Sequence, residues 1–109
     1  MNRLNQVILE GVVTSKQENM ISLADGTTPT VLMLVSTRYF KDENGEKCEE
    51  KSAFEVRAYG RMKESVNNLA HIGRSIRVVG SLKQLKFDNG TSTVFVIAQH
   101  IEYMPFRKE

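Results

Sequence analysis

The chain has 109 residues, of which 40% are hydrophobic and 26% are charged, and its formal net charge is +2. This composition is typical of one small globular domain and argues against a disordered protein or a membrane protein, since no apolar run approaches the roughly 20 residues of a membrane helix. The first residues show neither a secretory segment nor a transit pattern, so we expect a cytoplasmic protein.

The charges are distributed unevenly along the chain. Residues 1–55 contain six Lys/Arg and nine Asp/Glu, whereas residues 56–109 contain nine and four. A local cationic surface on a nearly neutral domain suits phosphate binding. The single cysteine, Cys48, has no partner for an internal disulfide and no second thiol for a metal, so we interpret it as a free thiol.

The first half of the chain predicts three β-strands. Val7–Val13 is the first, and Gly11 within it marks an expected bulge or bend. Thr30–Phe40 is the second, and the Asn44-Gly45 pair after it is a strong hairpin signal. Ala53–Tyr59 alternates as a half-buried third strand requires. Strands two and three are therefore predicted to form an antiparallel hairpin.

The second half predicts one amphipathic helix, Met62–Ile72, and two further strands, Ile76–Leu82 and Ser92–Tyr103. Gly73 stands in the position of a helix C-cap, and Asp25-Gly26 marks a loop earlier in the chain. The apolar stripe of the helix consists of Met62, Val66, Leu69 and Ala70. One helix between the third and fourth of five strands is the order of an OB-fold barrel, which we predict for residues 1–109 as a single nucleic-acid-binding domain.

Aromatic residues lie beside cations on the predicted strands. Single-strand binding needs this combination, because a ring stacks on a base while a cation contacts phosphate. We therefore predict a nucleic-acid-binding set that consists of Arg38, Tyr39, Phe40, Arg57, Tyr59, Arg77, Lys83, Lys86 and Phe87.

For a single aromatic residue in a strand, burial is the more common role. Phe54 and Phe95 share faces with apolar residues, so we expect them in the core or at a subunit contact. Tyr59 and Phe87 instead alternate onto faces with charged residues, which favours a binding role for these two rings.

No pattern in the sequence indicates catalysis, a metal or another cofactor. There is no glycine-rich phosphate loop, no nucleophile elbow and no pair of carboxylates placed for acid and base chemistry. His71 and His100 lack neighbours suited to a ligand set. The acidic cluster lacks the ligand spacing of an EF-hand; it consists of Asp42, Glu43, Glu46, Glu49 and Glu50. We predict a binding protein, not an enzyme.

Three motifs resemble those of the bacterial single-stranded DNA-binding proteins. Asn5–Gly11 is similar to the opening of the family's first strand, and Phe54–Arg61 to its third-strand motif, which ends in aromatic-Gly-basic. Gly73–Leu82 resembles the fourth-strand motif, and an aromatic residue, Phe87, follows it as in the family. The resemblance covers nearly all of residues 5–104.

The resemblance implies sequence-independent binding and protection of single-stranded DNA in replication, recombination and repair. It also implies a homotetramer, with a dimer as the alternative. We expect such a protein in the cytoplasm, associated with the nucleoid. The family's base-stacking positions correspond to Tyr39, Tyr59 and Phe87. A fourth stacking position, usually Trp, corresponds to Ala53, and Phe54 corresponds to a position at a subunit contact.

The end of the sequence departs from the resemblance. The family usually continues into a flexible linker and an acidic tip that recruits replication and repair proteins, whereas this chain ends in the basic stretch Met104–Glu109. An alternative therefore stays open, in which the protein is a tail-less OB-fold adaptor of the primosomal replication-restart type that acts through protein contacts. We expect single-stranded DNA and further copies of the chain as partners, and no membrane.

Overall fold

Five β-strands and one α-helix make up the computed structural model, which describes residues 3–18 and 28–105. The predicted loop at Asp25-Gly26 and the end of the chain, 106–109, lie outside the described residues. The elements are β1 (Val7–Glu18), β2 (Thr30–Lys41), β3 (Lys47–Ala58), α1 (Arg61–Leu69), β4 (Ser75–Lys86) and β5 (Ser92–Tyr103). In the described part of the chain, no helix has the length and apolar character needed to cross a membrane.

The strands form a closed barrel in the order β1-β2-β3-β5-β4, in which β4 pairs back onto β1. Neighbouring strands are antiparallel except for β3 and β5, which pair in parallel at Val56↔Val96 and Arg57↔Ile97. The predicted barrel with its helix between the third and fourth strands is confirmed, as is the predicted hairpin of strands two and three.

Alternate side chains of each strand point into the barrel, as the two-residue period of a strand requires. The resulting core includes Val13, Leu32, Leu34, Val56, Ala58, Ile76, Val78 and Val96, all at most 2% exposed. Val66 and Ala70 complete this core from α1 and the residue after it. Val56 and Ala58 share one face of β3, and Ile76 and Val78 share one face of β4, and both faces line this core.

The helix is shorter than predicted, because the residues after it bond to β1. The Gly73 N–H donates to the Val13 carbonyl at 2.8 Å, and the Val13 N–H donates to the Arg74 carbonyl at 2.9 Å. These bonds draw the chain away from the helix axis, and Gly73 supports the turn with a φ of 94°. Leu69 was predicted wrongly as part of the buried stripe, since its side chain is 44% exposed.

The sequence suggested a bulge or bend at Gly11 of β1, but the bulge lies at Thr14. The register shifts between Val13 and Ser15 in the pairing with β2. Gly11 serves a different purpose, since a Cβ there would collide with the backbone carbonyl of Val35. Its missing side chain therefore permits a close approach of two backbones.

Two hairpins extend beyond the barrel at the same end. Lys47–Ser52 of β3 pair with β2 but not with β5, and Lys83–Lys86 of β4 pair with the start of β5. Because β3 and β5 are parallel, the two hairpin turns lie at one end of the barrel. We call these extensions the β2–β3 arm (residues 36–52) and the β4–β5 arm (residues 83–95). Both β3 and β4 are longer than the sequence predicted.

Gly80 lies opposite a bulge in β5, and we expect it to tolerate no side chain. A Cβ at Gly80 would collide with the carbonyl oxygen of Ile97, and the collision could be relieved only by a shift of the β5 backbone. Gly80→Ala should therefore lower the free energy of unfolding by about 1–3 kcal/mol. Urea denaturation checks this, with Ser81→Ala on the neighbouring outward position as the control that should remain near the parent. Equal stability of the two variants would contradict the prediction.

Candidate nucleic-acid interface

Four neighbouring strands present one continuous outer face. The strands β2, β3, β5 and β4 are consecutive in the barrel, and their outward positions alternate with the buried ones. We define the outer face by the outward side chains Tyr39, Glu55, Arg57, Phe95 and Lys83. It brings together residues far apart in sequence, including an exposed ring and several charges.

Arg57 occupies the centre of the outer face and is held on two sides. Its guanidinium carbon lies 3.9 Å from the centroid of the Phe95 ring, and its Nε donates to Glu55 Oε2 at 2.7 Å. The Arg57 side chain is only 14% exposed, and it covers Phe95, which is 2% exposed. Phe95 was expected in the core or at a subunit contact, and it is buried within the chain, although it points outward and is covered by a cation.

Tyr39 is the most exposed aromatic ring of the predicted set, with 75% of its surface accessible. It lies on the outward side of the β2–β3 arm, opposite Glu49. Arg38 and Phe40 alternate onto the other side of the same strand, where the guanidinium carbon of Arg38 lies 4.5 Å from the Phe40 centroid. The structure therefore separates Tyr39 from its two neighbours in the predicted site.

Tyr59 and Phe87 each follow directly on a strand that contributes to the outer face. Tyr59 comes after the last residue of β3 and is half-buried, whereas Phe87 comes after β4 and is 52% exposed. The backbone N–H of Phe87 donates to the Thr91 carbonyl at 2.8 Å, which fixes the turn that presents its ring. Both rings therefore lie just beyond the end of a strand, outside the regular alternation that fills the core.

The lysines of β4 lie on different sides of the β4–β5 arm. Lys83 points outward, directly opposite Phe95, and is exposed. Lys86 belongs to the opposite parity, at the end of the arm beside Phe87, and is exposed as well. Lys83 therefore borders the centre of the outer face, while Lys86 accompanies the ring at the turn.

Arg77 lies apart from the other predicted cations. It is six residues from Lys83 along β4, a distance of about 20 Å at the usual rise of a strand. Its guanidinium forms ion pairs with Glu10 of β1 and with Glu102 of β5. The hydrogen bond and charge of Glu10 raise the pKa of Arg77 above its ordinary value. We therefore do not include Arg77 in the proposed interface.

Ala53 and Phe54 lie where β3 leaves the barrel. Ala53 is on the outward parity and offers no ring there, whereas Phe54 has the inward parity but remains 38% exposed. Phe54 lines an apolar groove between the arms together with Leu82 and Val94. This groove was not predicted. Leu82 has the same parity as the core residues of β4, and the sequence of β4 alone does not show that Leu82 lies beyond the barrel.

The described residues contain no group of three His, Cys, Asp or Glu side chains that could hold a metal ion. Of the acidic residues of the β2–β3 turn, Asp42 has a structural role, since its Oδ1 accepts hydrogen bonds from the backbone N–H of Asn44 and of Glu46, both at 2.9 Å.

Glu55, which orients Arg57, was missed as a site residue. Its position two residues before Arg57, on the same side of the strand, is the signal that could have found it.

Comparison with known proteins supports the resemblance seen in the sequence. The model of the single-strand binding protein family matches residues 4–104. A single-stranded DNA-binding protein of Aquifex aeolicus is 33% identical over 102 residues, which cover 90% of this chain and 68% of that protein. The chain belongs to the single-strand binding protein family.

Solved structures of the family have the same barrel. The wild-type single-stranded DNA-binding protein from Thermus aquaticus is 31% identical with a TM-score of 0.77, and the match covers 95% of this chain and 52% of that one. The Plasmodium falciparum protein in a complex with single-stranded DNA has a TM-score of 0.81 at 18% identity, covering 96% and 98% of the two chains. At that identity the Plasmodium structure supports the fold alone.

The contact of Arg57 with Phe95 should make a measurable contribution to the free energy of unfolding. Arg57→Met keeps an aliphatic stem but removes the cation over the ring and the hydrogen bond to Glu55, so unfolding should require about 1–2 kcal/mol less free energy. Denaturant titrations of the parent, Arg57→Met, Phe95→Leu and the double variant complete a thermodynamic cycle. We expect a coupling of about 0.5–2 kcal/mol, whereas additive effects would show that the contact stabilises nothing.

Proposed function

We propose that this protein binds single-stranded DNA without sequence preference and protects it during replication, recombination and repair. The two arms carry the proposal, because they combine exposed rings with exposed lysines in a member of the single-strand binding family. Base stacking on an aromatic ring tolerates any base, since every base has a π-face. Lysine contacts to phosphate add affinity that is equally independent of sequence.

The proposed interface consists of Tyr39, Tyr59 and Phe87 as stacking rings, with Lys83 and Lys86 as phosphate contacts. Arg57 contributes by shaping the centre of the face, where its ion pair with Glu55 compensates its charge. We further propose that residues 1–109 form one binding domain, that the protein catalyses no reaction, and that it acts on DNA in the cytoplasm at the nucleoid.

Removal of the three proposed stacking rings tests the proposal. Tyr39→Ala, Tyr59→Ala and Phe87→Ala should each weaken binding to oligo-dT by about 1–3 kcal/mol, the usual contribution of one stacked base. Tyr39→Ala and Phe87→Ala should leave the melting temperature near that of the parent, because both rings are largely exposed. Anisotropy titrations and thermal melts provide the two measurements.

Leu69→Ala is the matched control for these variants, since it removes an exposed side chain from α1, which follows the end of β3 opposite the arms. Its affinity for oligo-dT should equal that of the parent. Unchanged affinity in both Tyr39→Ala and Phe87→Ala would show that the binding face has been placed wrongly. A parent protein without affinity for oligo-dT would instead favour the adaptor function.

We also propose that the chain forms a homo-oligomer, most simply a tetramer with closed symmetry and otherwise a dimer. Ile8 and Val12 support this, because both are exposed hydrophobic side chains on the outward side of β1, and Ile8 is 64% exposed. Light scattering at tens of micromolar should give a mass above that of the monomer. Ile8→Asp should lower this mass, whereas Ile72→Asp, at an exposed site after α1, should not. A monomeric parent would contradict the proposal.

A further inference from the structure

The β2–β3 arm ends in a cross-strand pair of like charge. Lys41, the last residue of β2, lies directly opposite Lys47, the first residue of β3. Side chains in such positions start from Cβ atoms about 4.5–5.5 Å apart, and like charges there destabilise the pair. Both lysines are exposed, and neither takes part in an ion pair within residues 3–18 and 28–105. The free protein therefore places two ammonium groups side by side, and neither has an ion-pair partner among the described residues.

In the part of the chain that the structure describes, the carboxylates around the two lysines form no ion pair with them. Asp42 uses one carboxylate oxygen to accept two backbone N–H groups of its own turn. Glu43 and Glu46 are exposed on the turn and form no ion pair among the described residues. The next carboxylate on the same side of the arm, Glu49, lies 3.4 Å from Lys51. No described carboxylate of the arm thus holds either ammonium group in an ion pair, and both remain available to an external anion.

An exposed ring lies next to this cationic pair on the same side of the arm. Tyr39 is two residues before Lys41 and diagonally across from Lys47, since its own partner is Glu49. Diagonal neighbours on one face are about 7–8 Å apart, within reach of long side chains. A ring with two cations beside it suits a nucleotide better than an acidic peptide, because the ring can stack on the base while the cations contact the phosphate.

We propose that Lys41 and Lys47 together bind one backbone phosphate of the strand whose base stacks on Tyr39. The proposal rests on the proposed function and extends the path of the DNA to the end of the arm. Lys41 lies ten residues along β2 from Val31, the residue opposite Arg57, so the path continues about 33 Å from the centre of the outer face. A bound phosphate also relieves the repulsion between the two ammonium groups.

The test compares Lys41→Gln, Lys47→Gln and the double variant with the parent. The double variant should bind a long oligo-dT roughly three- to tenfold more weakly at moderate salt, and its log affinity should fall less steeply with log salt, by about 0.7, which corresponds to one phosphate on a single strand. Each single variant should show most of this loss, because the two lysines share one phosphate. The melting temperature should not fall, since each change removes a like-charge contact.

Lys63→Gln is the matched control, because it lowers the net charge equally at the opposite end of the barrel. Lys63 lies on α1, and its ammonium donates to Thr28 Oγ1 at 3.2 Å. Its oligo-dT affinity and salt dependence should match the parent. If Lys63→Gln weakens binding as much as Lys41→Gln, net charge explains the effect and the proposal is wrong.

A local probe separates occupancy of the arm from overall affinity. The sequence has no tryptophan, so Tyr39→Trp introduces a single indole at the ring position. Saturating oligo-dT should quench its fluorescence, and the quench should be smaller when Lys41→Gln and Lys47→Gln are added. An unchanged quench, affinity and salt slope in that variant would overturn the phosphate site. A parent without any oligo-dT binding would instead contradict the proposed function itself.

Discussion

The parallel pairing of β3 with β5 closes the barrel, and the contact between Arg57 and Phe95 joins these two strands on the outside. β2 and β3 pair over their whole lengths, whereas β3 and β5 share only two register positions. Parallel pairing is also slightly less stable per residue than antiparallel pairing. A guanidinium 3.9 Å from the centroid of a buried ring therefore adds a side-chain contact where the backbone ladder is shortest.

This arrangement divides the outer face into a fixed centre and free ends. At the centre, Arg57 cannot leave Phe95 and Glu55 to follow a ligand without exposing an aromatic ring to water. At the free ends, on the two arms, Tyr39 and Phe87 contribute little to the core, so their surfaces remain accessible. The centre therefore keeps the strands in register, while the exposed rings of the arms are free to contact a ligand at little cost to folding.

The sequence predicted those features that depend on local patterns and missed those that depend on distant partners. The alternation of Val56 and Ala58 and the bounds of β5 could be read from residues next to one another. The end of α1 could not, because the residues that follow it bond to Val13, some sixty residues earlier. The same holds for Arg57, whose partner Phe95 is brought to it only by barrel closure. For the candidate site, alternation along β2 already separates Tyr39 from Phe40, but which of the two rings points outward required the strand's orientation in the barrel.

The charge of the β2–β3 arm shows why a count along the chain is a poor guide to a strand surface. Taken in sequence, the arm is rich in acid, and on that count it would repel DNA. Alternation distributes these charges over separate surfaces, so the outward side of the arm carries Lys41, Lys47 and Lys51 against Glu49 alone. The remaining carboxylates belong to the turn or, with Glu50 opposite Arg38, to the other side. The electrostatic character of a hairpin is therefore a property of each of its faces, and it follows from the register that the barrel imposes.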